Sequence, residues 1–220
     1  DGAGKRGADV ASRLRIASVA EASGQTEVAV SVLSSLANAA PDNVEVQSRY
    51  ARALARAGNM QEADAAVAQA LRRKPGDPAL LLELGRIRLL EGRAAEAAEA
   101  FAAVSASRPR ELGALLGRGI AQDLLGQHAE AQANYRAVLA ADPQNLPALN
   151  NLALSMVLAG DANGAVPVLQ RLATRRDAPP RVRNNLSVAQ AAANEQGVGF
   201  AFSGLAPRGS DRAPTQAALA

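Results

Sequence analysis

Two asparagine pairs, Asn150–Asn151 and Asn184–Asn185, stand 34 residues apart, and a carboxamide both donates and accepts hydrogen bonds. Repeated along one surface, such pairs can clamp the backbone of an extended peptide whatever its side chains. Bonded to one another between helices, they would only tie the chain to itself. Catalytic chemistry has less to work with. The single histidine, His128, makes neither a triad nor a metal cluster, and a solvated or capping role is expected for it. The absence of cysteine excludes disulfides, thiolate metal sites and cysteine nucleophiles. Gly113, Gly117 and Gly119 resemble a phosphate loop only superficially, since they fall inside a helical stretch and no GK[ST] follows. Gly119 suits a packing position, whereas Gly113 and Gly117 have no evident reason. Glu62, Asp64, Glu96 and Glu99 fall near helix starts, where they complement the dipole on a solvated face. No enzyme activity, cofactor or metal is expected.

The elements that position these residues follow a ruler. Glycine returns every 34 residues at Gly24, Gly58, Gly92, Gly126 and Gly160, and proline keeps the same interval at Pro41, Pro75, Pro109 and Pro143. Each unit reads as an apolar-periodic stretch, the glycine, a second such stretch and the proline, which is a helix hairpin. Counted from Val10, Val44, Pro78, Leu112 and Leu146, position eight is always small (Ala17, Ala51, Gly85, Gly119, Ala153) and position twenty always alanine. Small residues let antiparallel helices cross closely. Position seven (Ile16, Tyr50, Leu84, Arg118, Leu152) and position twenty-four (Leu33, Val67, Phe101, Tyr135, Leu169) are expected to wedge between neighbours as core. A net charge of +3, with Lys5 and Lys74 as the only lysines and 2% aromatics, does not suit nucleic acid. No run approaches the ~18 apolar residues of a membrane span.

Small at eight, glycine at fifteen, alanine at twenty, aromatic or aliphatic at twenty-four and proline at thirty-two resembles the tetratricopeptide repeat, best in PALLLELGRIRLLEGRAAEAAEAFAAVSASRP from Pro78 to Pro109. The resemblance implies an all-α, right-handed solenoid of about five helix hairpins plus a C-terminal capping helix. The expected division is a flexible linker at 1–9, the solenoid with its cap at 10–193, and a largely irregular tail at 194–220. Within that tail GVGFAFSGL alternates as a short strand would. The usual tryptophan at position four is missing, Asp177 replaces the fifth proline, and Pro167 should kink the last second-helix or delay its start.

In such solenoids the first helices line a concave groove. Its basic part here would carry Arg49, Arg52, Arg56 and Arg86, and its apolar part Leu116, Ile120, Leu154 and Leu158, with Asn150, Asn151, Asn184 and Asn185 among the latter. That gradient suits an amphipathic peptide with acidic residues. The stretch NNLALSMVLAGDANGAVPVLQRLATRRDAPPRVRNNLSVAQAA resembles the TadD family of Flp (tight-adherence) pilus assembly proteins. It implies a periplasmic, pilotin-like adaptor, a lipoprotein anchored to the outer membrane through a cysteine upstream of this chain, whose partner is a secretin segment or another pilus component. The alternative is a chaperone-type or scaffold repeat module from a larger protein.

Overall fold

A repeat of 34 residues with two punctuators folds as expected into hairpins. The structure, a computed structural model, describes residues 2–203, with side chains for 9–195. The described residues form eleven helices and no strand: α1 (Gly2–Ala22), α2 (Thr26–Ala39), α3 (Val44–Arg56), α4 (Met60–Arg73), α5 (Pro78–Leu90), α6 (Ala94–Ser107), α7 (Leu112–Leu124), α8 (His128–Ala141), α9 (Leu146–Leu158), α10 (Ala162–Ala173) and α11 (Pro180–Ser203). Odd and even helices pair as hairpins, each even helix also packs on the next odd one, and α3, α5, α7, α9 and α11 touch in succession. The odd helices therefore form one continuous row.

The ladder glycines end the first helices as their sequence positions require. Gly58 at φ 84° and Gly160 at φ 89° occupy the left-handed region, where a Cβ would strain the backbone. At the other end, Asn43, Asp77 and Asn145 cap α3, α5 and α9 by accepting backbone N–H groups of the first turn. Pro78 and Pro147 sit within those first turns, where a missing N–H costs nothing.

The core is shared between units. Position twenty-four is fully buried in every unit, from Leu33 to Leu169, and so is position twenty, from Ala29 to Ala165. Position seven departs from expectation: Tyr50, Leu84, Arg118 and Leu152 are half-buried and Ile16 is exposed. Tyr50 and Leu84 still pack against the core from its edge, while positions three and ten are the buried ones. Val46 and Ala53 join the cluster of Leu14, Leu33 and Leu36, just as Leu80 and Ile87 join that of Leu54 and Val67. Ala114 and Ala121 do so beside Phe101, and Val182 and Ala189 beside Leu169. Each first helix thus completes the core of the hairpin before it.

Phe101 explains Gly117, one of the two glycines that spacing leaves unexplained. A Cβ on Gly117 of α7 would lie 2.4 Å from the Phe101 ring, and one on Gly85 of α5 would lie 2.7 Å from it. The ring of α6 is therefore held between two backbones with no room for methyl groups. Tyr135 stands to Gly119 in the same relation, with a Cβ meeting its ring at 2.5 Å.

Three other expectations change. Residues 2–9, read as linker, belong to α1. Their glycines cost about 1 kcal/mol each in a helix, but extending a formed helix avoids the nucleation penalty. Likewise α11 runs through 194–203, and the alternating stretch beginning at Gly197 is helical as far as Ser203, because a strand-like segment needs a partner strand. The remainder of that tail, 204–220, lies outside the described residues. Finally, α10 starts in register at Ala162 despite Pro167, whose ring is exposed, and ends two residues earlier in its unit than the other second helices.

Gly117→Ala should destabilise the chain by about 1–3 kcal/mol through overpacking against Phe101. Urea unfolding checks it: in a Phe101→Leu background the same alanine should cost distinctly less.

Candidate partner-binding groove

The row of odd helices carries the positions that neither hairpin nor neighbour buries, and its two ends differ. At the basic end Arg49 is largely committed inside the stack. Its Nη2 donates to Glu21 Oε2 at 3.0 Å and to Ser18 Oγ at 2.9 Å, and its side chain is only 17% exposed. Arg52 reaches from α3 to α5, where its Nε donates to both carboxylate oxygens of Glu83 at 3.2 Å and its Nη2 meets Oε1. Arg86 brings its Nη1 to the same oxygen. Glu83 of α5 is 1% exposed beneath these two guanidinium groups. Its hydrogen bond holds the Arg52 guanidinium above the usual arginine range, ahead of the opposing effect of burial. Arg56 is exposed and has no ion-pair partner among the described residues.

Between α3, α4 and α5 a pocket of about 500 Å³ opens, lined by Arg52, Arg56, Met60, Arg86, Ile87 and Leu90. Leu90 is 65% exposed, unusually so for leucine, and it begins a column at position thirteen that continues with exposed Leu124 and Leu158. Leu116, Ile120 and Leu154 are half-buried beside that column, and Val188 of α11 is exposed. The apolar end of the groove is thus an edge of leucines over a half-buried floor.

The asparagines are divided in their use. Asn150 is 3% exposed, its Nδ2 donating to Asn151 Oδ1 and its Oδ1 accepting from Asn185 Nδ2 at 3.0 Å. For Asn150 the bond between helices accounts for the residue. Asn151 and Asn185 stay half-buried with further donors and acceptors, and Asn184 is exposed. So the pair of rungs joins α9 to α11, with Asn184 exposed and spare bonding capacity on Asn151 and Asn185.

Sequence reasoning missed a polar knot beside the groove. Asp123, at position twelve of α7, accepts from the Tyr135 hydroxyl at 2.9 Å and the Ser155 hydroxyl at 2.6 Å, and His128 Nδ1 stands 2.9 Å away. Both hydroxyl residues are buried, and burial first, then the Asp123 charge, pushes the Tyr135 phenol well above its usual range. His128 is therefore neither a cap nor free in solvent; it closes the knot that ties α7, α8 and α9. Its signal was the serine at position ten of the fifth unit, where other first helices carry alanine, valine or isoleucine. On the even helices, Asp64 and Glu96, read as solvated, both pair with Arg88 of α5, at 2.8 and 3.6 Å. Among the described residues no acid, cysteine or histidine cluster could hold a metal, and no helix is long and apolar enough to cross a membrane.

Stacked hairpins with small crossing residues and an open row of first helices define a tetratricopeptide-repeat solenoid, a protein–protein interaction module. Residues 7–189 match the family described as "Protein kinase G tetratricopeptide repeat", and the chain belongs to that family. The same fold occurs in TTC0263, a thermophilic tetratricopeptide-repeat protein of Thermus thermophilus, with TM-score 0.71 at 18% identity over 83% of this chain and 99% of that one. A tetratricopeptide-repeat protein of Parabacteroides merdae superposes with TM-score 0.69 at 14% identity, over 87% and 76% of the two chains. MamA of Desulfovibrio magneticus does so with TM-score 0.63 at 20% identity, over 74% and 92%. No curated protein matches the sequence. None of these comparisons indicates a catalytic family.

Asp123→Ala strands two buried hydroxyls and should cost about 2–4 kcal/mol. Thermal unfolding in the Tyr135→Phe background should show a smaller loss, since one stranded donor has been removed.

Proposed function

We propose that this chain is a periplasmic, pilotin-like adaptor of the Flp/Tad pilus system that holds a segment of the secretin, or of another assembly component, in its groove. The observation that carries the binding role is the unneutralised cation at Arg56 beside the exposed column Leu90, Leu124 and Leu158. An amphipathic helix would lay its apolar face on that column and turn acidic residues toward α3 and α5. The pilus assignment rests on the likeness of residues 146–193 to TadD, with anchoring through a lipidated cysteine upstream. No covalent chemistry is involved, so delivery or assembly would follow from binding alone.

A second reading has its own support. The matching family is named for a protein kinase, which favours a repeat module working within or beside a larger regulatory protein. The groove would then hold a segment of that protein. A lipobox in the precursor beside secretin and pilus-ATPase genes favours the adaptor; a fused catalytic domain favours the module.

Charge reversal and polarity together test the groove. The double variant Arg56→Glu, Leu158→Asp changes two exposed side chains and should keep full helical circular dichroism while losing co-purification with the secretin by at least about tenfold. Undiminished capture would refute groove binding.

A further inference from the structure

We infer that the pocket between α3 and α5 takes a carboxylate borne by a peptide next to an apolar side chain. This deepens the groove reading and rests on it. Three guanidinium groups, those of Arg52, Arg56 and Arg86, line the opening, and the only carboxylate among the lining residues is Glu83. Because Glu83 is buried beneath Arg52 and Arg86, it fixes both from below while the surplus positive charge faces outward. Their side chains remain 40% and 43% exposed.

The hydrogen-bond inventory agrees. Arg52 commits Nε and Nη2 to Glu83, which leaves Nη1; Arg86 commits Nη1, which leaves Nε and Nη2. Two arginines are thus preorganised with donors unspent, and Arg56 adds a third that is uncommitted. The neighbouring Arg49–Glu21 pair is already matched and contributes little net field.

The walls argue for a peptide over a free inorganic anion. Ile87 is buried at the base, Met60 is half-buried, and Leu90 projects at the rim. A small anion would use the guanidinium groups and leave Leu90 in water. A glutamate followed by leucine uses both, and about 500 Å³ accommodates the two side chains.

The test uses the full chain, with fluorescence anisotropy of a labelled synthetic Glu-Leu-Glu-Leu peptide, its Gln-Leu-Gln-Leu counterpart, and inorganic phosphate as competitor. The acidic peptide should bind about tenfold tighter than the amide version. Arg56→Ala should weaken it roughly fivefold, and Leu90→Asp should weaken it by a similar factor. Glu83→Gln keeps the shape but removes the charge that orients Arg52 and Arg86, so it should weaken the acidic peptide about threefold and leave the amide peptide unchanged. Equal affinity for the two peptides overturns the inference. So does displacement by phosphate combined with indifference to Leu90→Asp, which would mark a general anion site. If Glu83→Gln unfolds, the exposed Arg56 and Leu90 variants still decide. The probe carries no pilus sequence, so its failure leaves secretin binding standing, and secretin capture that survives Arg56→Ala removes only the pocket.

Discussion

A two-helix hairpin of this size cannot bury its own apolar face, so each repeat must complete the core of its neighbour. Positions three and ten do this throughout, with Val46 and Ala53 closing the first hairpin and Val182 and Ala189 closing the fifth. The requirement fixes the spacing between successive first helices, and therefore the spacing of everything on the groove side. It also explains Phe101: a ring that fills the space between two first helices demands glycine on both, at Gly85 and Gly117. Large and small are matched across units as well as within them.

The groove chemistry is shaped by that same coupling. Side-chain bonds between units recur at nearly one repeat length: Arg49 to Ser18, Arg52 to Glu83, Ser155 to Asp123, Asn185 to Asn150. Each joins one odd helix to an element of the adjacent hairpin. A buried carboxylate such as Glu83 is costly unless its oxygens are occupied, and two arginines occupy them. Polar residues in groove columns therefore serve the stack first. What is left over for a partner is the smaller set whose bonding capacity the stack does not exhaust.

The ruler of glycine and proline made the fold legible, because backbone conformation at Gly58 or Gly160 and the crossing at Ala63 or Ala97 are local demands. It also assigned side chains to groove or core by column. Where it failed, the deciding partner lay on another helix, close to a full repeat away for Glu83 and Arg49. Nothing near Glu83 in sequence announces that Arg52 will reach across from α3 to bury it. Arg49 belongs to the expected basic part of the groove, yet its column does not announce Ser18 and Glu21 on α1, and Asp123 gives no sign of the three groups converging on it. At the termini the misreading had another cause: glycine content suggested linker at 2–9 and irregular tail at 194–203, while helix extension prevailed.

Stitching that removes groups from the partner's reach also prepares those that remain. Arg52 and Arg86 are held by Glu83 in fixed orientations, so little side-chain freedom is left to lose on binding. Leu124 and Leu158 project from helices whose packing is set by buried Ala121 and Ala153. The ordering cost of association therefore falls on the incoming segment. On the proposed reading, a helical partner would meet arginines whose orientation Glu83 has already set. For such a scaffold, selectivity follows from where unneutralised charge and exposed leucine coincide, and along this row they coincide between α3 and α5.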